Sequence, residues 1–171
     1  VTIATATSDA DTLTVLDRLI DEHKADGFIL PRTEVQDARV DLLRSKSVPY
    51  IMYGRTSHGV PPAQQEGSWV VILGEAAMCS AVTRLAGLGH ERIAYVGSTS
   101  NFNYSHLRRD GFKAGLAAAG LDYDPDLIKS GARTPEEGPA QARHRLLHPE
   151  PPTGLVFSPD MTPLGPDHPV H

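Results

Sequence analysis

Cys79 is the one thiol in a chain of 171 residues. Neither a disulfide framework nor a thiolate zinc site can be built within one copy, and a reducing cytoplasm suits such a composition. Long apolar runs are missing as well. No stretch approaches the roughly 20 residues that span a bilayer, and the start of the chain has no basic-then-apolar signal pattern. Positive charge is scarce: 16 Lys and Arg against 21 Asp and Glu give a net charge of −5. Gripping nucleic acid takes clustered cations, so this stretch by itself is not expected to bind DNA.

The signatures of several chemistries are also absent. There is no G-x-S-x-G elbow, no G-x-x-x-x-G-K-[ST] phosphate loop and no S-x-x-K pair, which argues against a hydrolase or kinase. "GLAAAGL" (115–121) is rich in glycine, yet it reads as helix packing followed by a C-cap rather than a dinucleotide fingerprint. His144 and His148 would share a helix face, but no Glu follows the first and no third ligand lies nearby, so they read as structural or solvated. No catalytic residue, metal or cofactor is expected. Repeats and low-complexity tracts are missing. The biased stretch is the tail "SPDMTPLGPDHPVH" (158–171), with four prolines in fourteen residues.

What is present is a soluble globular composition, 40% hydrophobic and 22% charged, in a chain long enough for one ordinary domain or two small lobes. Short β-rich runs occur at 1–7 ("VTIATAT"), 27–30 ("GFIL"), 49–53 ("PYIMY"), 69–73 ("WVVIL"), 92–97 ("RIAYVG") and 153–157 ("TGLVF"). Helical spacing fills the intervals. Leu13, Leu16, Leu19 and Ile20 share one face in 10–24, and Ala77, Ala81, Leu85 and Leu88 share one in 75–88, where Gly89 suits the stop. In 104–119 the face is Leu107, Phe112, Leu116 and Ala119, closed by Gly120. Strand and helix in alternation predict an α/β fold with parallel sheets, and continuous apolar runs predict strands covered on both faces. One connection breaks the rhythm. "GRTSHGVPPAQQEGS" (54–68) has no helical pattern and holds two prolines and three glycines. A connection of that length is functional or passes between lobes, which places a first lobe at 1–72 and a second at 73–171.

Ligands of open α/β sheets gather at the carboxyl ends of the strands. Here those exits read "PRTE" (31–34), "GRTSH" (54–58), "STSNFNYS" (98–105) and "SPD" (158–160). Hydroxyl, amide and guanidinium groups dominate them, the donor-heavy lining that a polyhydroxylated or anionic small molecule would need.

The segments "ADGFILPRTE", "VPYIMYGRT", "EAAMCSAVTRLAGLGHERIAYVG", "HLRRDGFKAGLAAAGL" and "PPTGLVFSPDMTPLG" occur in an order and spacing that resembles the LacI/GalR family of bacterial transcription regulators. The resemblance runs through most of the chain, and its most specific part is the "LGHERIAYVG…RRDGFKAGL" block. It implies a periplasmic-binding-protein-like fold, two parallel-sheet α/β lobes closing on an effector, with the chain opening at the second strand of the first lobe. In such a family the partners would be a small effector such as a sugar, operator DNA read by an N-terminal helix-turn-helix outside this stretch, and a second copy in a cytoplasmic homodimer. A periplasmic sugar-binding protein of a transport system, which shares the fold, is the alternative.

By the family's R-x-x-GF motif, Arg108 is implied to fork onto effector hydroxyls or a carboxylate, a task suited to a rigid planar guanidinium. Asp160 corresponds to the acid that accepts from sugar hydroxyls, and Arg32 and Arg55 follow strands whose exits touch effector in relatives. Asn103 and Tyr104 complete the candidate set. Plainer roles stay open for each: Arg108 as a solvated first-turn residue, Asp160 as an N-cap, Asn103 and Tyr104 as loop closers. Arg109, about 100° around the helix, is expected at the surface. Where many relatives carry Asp-Asn at the interlobe hinge, this chain has Leu73-Gly74. The usual cap is therefore missing, and Gly74→Asp is expected to restore it.

Overall fold

The structure is a computed structural model that describes residues 3–5, 8–64, 66–97, 101–130 and 150–158. Its chain divides into two compact units, Val1–Ile72 and Leu73–His171.

In the first unit, Ser8 accepts the Asp11 N–H at 3.2 Å and so caps α1, Asp9–Asp21. Strand β1 (Phe28–Pro31) is followed by α2 (Ala38–Ser45), β2 (Tyr50–Tyr53) and a short β3 (Trp69–Val70). The strands form a parallel sheet in the order β1-β2-β3, with Phe28 opposite Tyr50 and Met52 opposite Trp69. Leu16 of α1 and Val40 and Leu43 of α2 pack with Leu30 and Met52 on one face of the sheet. Each such buried side chain contributes roughly 1.5–3 kcal/mol.

In the second unit, α3 (Gly74–Gly87) leads to β4 (Ile93–Gly97), α4 (Asn103–Ala118), β5 (Ile128–Ser130) and β6 (Gly154–Phe157). The parallel sheet has the order β5-β4-β6. Every residue of β4 is buried. Helices α3 and α4 touch through glycine: a Cβ on Gly111 would lie 2.1 Å from the Glu75 carbonyl oxygen, and one on Gly115 would lie 2.7 Å from Val82 Cβ. "GLAAAGL" thus supplies helix packing at Gly115 and, at Gly120 (φ +69°), the left-handed residue that ends the helix. Gly89 (φ +93°) ends α3 in the same way.

The α/β class and the parallel sheets match the expectation; several details do not. Residues 3–5 lie in no strand, and the run at 69–73 is a strand only over Trp69–Val70, because Leu73 already caps α3. The buried stripe of α3 is Met78 and Val82 rather than Ala77 and Leu88, because the closely apposed glycines of α4 draw that stripe inward. Leu88 stays 60% exposed. The loop at 54–68 contains a 3-10 turn, Pro62–Gln64. The first sheet is covered on one face: Leu30 and Met52 are buried, while their neighbours Ile29, Ile51, Tyr53 and Val70 are exposed. The helices of that unit share the face that Leu30 and Met52 present, whereas β4 has the two-sided cover expected of the strands.

Candidate functional site

In the second unit the carboxyl ends of the strands meet the first turns of both helices. Val96 carbonyl accepts the Ser158 N–H at 2.9 Å, which carries the chain out of β6 alongside β4. Ser158 is 1% exposed, and its Oγ accepts from Arg108 Nη1 at 3.0 Å. The guanidinium carbon of Arg108 also lies 4.8 Å from the centre of the Tyr104 ring, a cation–π distance. Tyr104 in turn stacks on Phe102 with centroids 5.5 Å apart and planes inclined by 15°. One helical turn thus sets a flat aromatic pair under a charged fork. Such a surface offers an apolar face and several donors together, the combination that a sugar ring uses.

Two glycines make this placement possible. Gly111 lets α4 press onto Glu75, and Gly74 leaves room for the Arg108 side chain, since a Cβ there would lie 3.2 Å from both Cγ and Nε. Asn103, the first residue of α4, is wholly buried, so it lies beneath this surface. Arg109 is half-buried rather than at the surface, and its Nη2 donates to His106 Nδ1 at 3.0 Å. The cap of α3 is Leu73, which makes no side-chain capping bond, and Gly74 is already the first helical residue. The expectation that Asp at 74 would restore a cap is therefore corrected by one position. Asp160, with His144 and His148, falls outside the described residues.

In the first unit the exits of β1 and β2 are tied to each other. Thr33, 1% exposed, donates through Oγ1 to the Arg55 carbonyl at 3.2 Å, and the Gln36 N–H reaches the Thr56 carbonyl at 3.4 Å. Gly54 has φ +133°, and a Cβ on it would strike Thr33 Oγ1 at 2.1 Å, so only glycine fits there. Arg55 is 8% exposed, with its guanidinium 5.8 Å from the Trp69 ring centre. Arg32 is exposed and left-handed, φ +54°, a costly conformation for a residue with a side chain. The two exits are thus joined through Thr33 and the Arg55 carbonyl, with Arg32 exposed and Arg55 buried.

Asp37 organises this exit. Its carboxylate accepts Arg39 Nε at 2.9 Å and Nη2 at 2.6 Å, together with the backbone N–H of Glu34 at 3.1 Å and of Arg39 at 3.0 Å. The second of those backbone bonds caps α2. Burial would raise the Asp37 carboxyl, but the hydrogen bonds from Arg39 and Glu34 and the charge of Arg39 outweigh it and hold the group below the usual carboxylate range. Sequence reasoning did not single out Asp37, Arg39 or Ser158. The available signals were an Asp-x-Arg spacing at a helix start and a serine directly after "TGLVF".

The periplasmic binding protein-like domain family matches residues 82–165. The chain is 29% identical over 86% of its length to the HTH-type transcriptional regulator AglR of Rhizobium meliloti (strain 1021), covering 40% of that protein. Among solved structures, a regulatory protein of the LacI family from Chloroflexus aggregans superposes with a TM-score of 0.77 at 29% identity, over 89% of this chain and 53% of that one. A complex of the transcriptional regulator CelR with cellobiose gives a TM-score of 0.73 at 31% identity, over 85% of this chain and 43% of that one. The fold is that of a periplasmic binding protein-like domain. The chain is similar, over most of its own length, to the LacI/GalR family of transcription regulators, in the part that forms their periplasmic binding protein-like core. It spans about 40% of the length of the curated relatives it matches. Among the described residues, no helix is long and apolar enough to cross a membrane.

Proposed function

We propose that this chain forms part of the effector-binding core of a cytoplasmic, homodimeric transcription regulator that senses a sugar and passes the signal to an operator-reading helix-turn-helix. The observation that carries the reading is Arg108, seated on Ser158 and Tyr104 within the family's R-x-x-GF motif. Effector contact is assigned to Arg108 and Tyr104 in the second unit and to Arg32 and Arg55 in the first. Asp160 is an acceptor in the same proposal, and Asn103 supports the start of α4 from beneath. Leu73 and Gly74, directly after the boundary between the two units, are the proposed hinge.

Sugar is favoured as the effector because the Phe102–Tyr104 stack offers an apolar platform beside a charged donor, and because a relative has been solved with cellobiose. The regulator reading is favoured over a transport component because the relatives named above are transcription regulators. An effector acts by binding one conformational state better than another, and that difference in affinity sets how far operator binding shifts. Calorimetric titration of the full-length regulator with cellobiose, maltose, melibiose and raffinose tests the proposal. A sugar that binds wild type and weakens or strengthens operator binding supports it. Binding by none of the neutral sugars, with tight binding of a sugar phosphate or nucleobase in the same assay, would replace the sugar reading.

A further inference from the structure

We infer that Asp37 and Arg39 are a positioning pair that holds the β1 exit, residues 32–36, in the shape the first unit presents to its ligand. This inference rests on the effector-binding reading above. Two residues of the exit, Arg32 (φ +54°) and Gln36 (φ +59°), are left-handed although neither is glycine. Such conformations persist only where surrounding bonds over-determine them.

Arg39 supplies those bonds from two directions. Its Nε and Nη2 grip both carboxylate oxygens of Asp37, and the same Nη2 donates to the Arg32 carbonyl at 3.2 Å. The Asp37 carboxylate takes the Glu34 N–H, which closes the exit from its other side. A planar guanidinium can serve both acceptors at once, whereas an ammonium is a point donor without the fork. Asp37 is nearly buried, with 3% of its side chain exposed, so the pair is shielded from the solvent that weakens surface ion pairs. Arg39 itself is 19% exposed, and neither residue needs to touch the effector for the pair to act. Its part is to fix the loop in advance, so that binding does not have to order it.

The test compares Arg39→Lys with wild type in the full-length regulator. Hydrogen exchange is followed by mass spectrometry on the peptide covering 32–36, and binding is measured by calorimetry with whichever of cellobiose, maltose, melibiose and raffinose binds wild type. Expected are exchange in 32–36 faster by about tenfold, unchanged exchange across β2, and sugar affinity lower by about fivefold or more. A double-mutant cycle adds a readout that a purely structural role would not move. In an Arg32→Ala background the affinity cost of Arg39→Lys should largely vanish, while its effect on exchange remains. Unchanged exchange in 32–36 overturns the clamp. Faster exchange with undiminished sugar affinity overturns its role at the site. Equal affinity costs of Arg39→Lys with and without Arg32 also overturn that role. If none of the four sugars binds wild type, the sugar reading fails, and the role of the pair at the site falls with it for these ligands; exchange in 32–36 still decides whether the clamp exists.

Discussion

The two units hold their strand exits by different means. In the first, the sheet is covered on one face and the exit of β1 is fastened by an ion pair and its hydrogen bonds, Asp37 with Arg39. In the second, β4 is buried throughout and the exit surface is set by close helix packing, with Gly111 against Glu75 and Gly74 beneath Arg108. Polar fastening can be loosened by protonation or by losing one donor. Steric fastening has no such graded response, because backbone in contact with backbone either fits or must shift. The difference teaches where each unit is vulnerable, and the following variants probe it in order of expected effect.

The steric side should break hardest. Gly111→Ala would place a methyl 2.1 Å from the Glu75 carbonyl oxygen, where neither partner is a flexible side chain. The helices must separate, and overpacking of this kind costs about 1–3 kcal/mol or more. Thermal unfolding of the variant should show a clear loss of stability, with effector binding lost as Arg108 moves with α4. A variant as stable as wild type would show that the helix crossing is softer than its geometry implies.

Arg108→Ala sharpens the comparison by separating binding from folding. The helix keeps a good former, so the variant should fold, yet deletion of a charged hydrogen bond should cost about 2 kcal/mol of effector affinity, roughly thirtyfold in Kd. Arg109→Ala removes a local bond to His106 and should leave affinity nearly unchanged. Equal losses at both positions would deny Arg108 a direct contact.

The polar side should respond to pH. The folded-state carboxyl of Asp37 is held below its ordinary value by Arg39 and Glu34 despite burial. A depressed carboxylate contributes stability that is fully present above the unfolded pKa, about 4, and is lost as pH falls through the lower, folded value. The melting temperature of Asp37→Asn should therefore fall below that of wild type at neutral pH, and the gap should close in acid. A gap that stays constant down to the most acid pH at which both still fold would mean that the carboxylate's charge is not what fastens the β1 exit.

How much of this could be read from the chain follows the same division. Strands whose sequence is a continuous apolar run, such as "RIAYVG", were legible because burial selects such runs directly. Helix α2 was not singled out: it has eight residues and buries only Val40 and Leu43, too few for a periodic signal. Strand β5 was equally silent, since "IKS" offers one apolar residue. The residue types at the exits led to the expectation of a polar ligand surface, and the R-x-x-GF motif to the expectation that Arg108 lies in it. No spacing rule could reveal that Ser158, fifty positions away, would receive its guanidinium. Asp37 and Arg39 are close in sequence, but their pairing acquires meaning only once α2 begins at Ala38 and the Arg32 carbonyl turns toward it.

The smallest effect is expected at the start of α3, where the corrected cap position gives two neighbouring substitutions opposite consequences. Leu73 is the N-cap residue, is 72% exposed and makes no side-chain capping bond. Leu73→Asp gives up little burial and places a side-chain acceptor beside the N–H groups of the first turn, a gain of about 1 kcal/mol. The same charge one residue later does something else. At Gly74 it cannot act as the N-cap, and its Cβ would stand 3.2 Å from Cγ and Nε of Arg108, close enough to compete with Ser158 for the guanidinium. Leu73→Asp should therefore raise the melting temperature with effector affinity unchanged, whereas Gly74→Asp should lower effector affinity with little change in stability. Operator affinity of the full-length regulator, with and without the sugar that binds wild type, then reads the hinge. If Leu73→Asp stiffens the first turn of α3, the ratio of the two operator affinities should shrink. An unchanged ratio in Leu73→Asp would remove this turn from the switching mechanism, leaving Gly74 only as the space that Arg108 occupies.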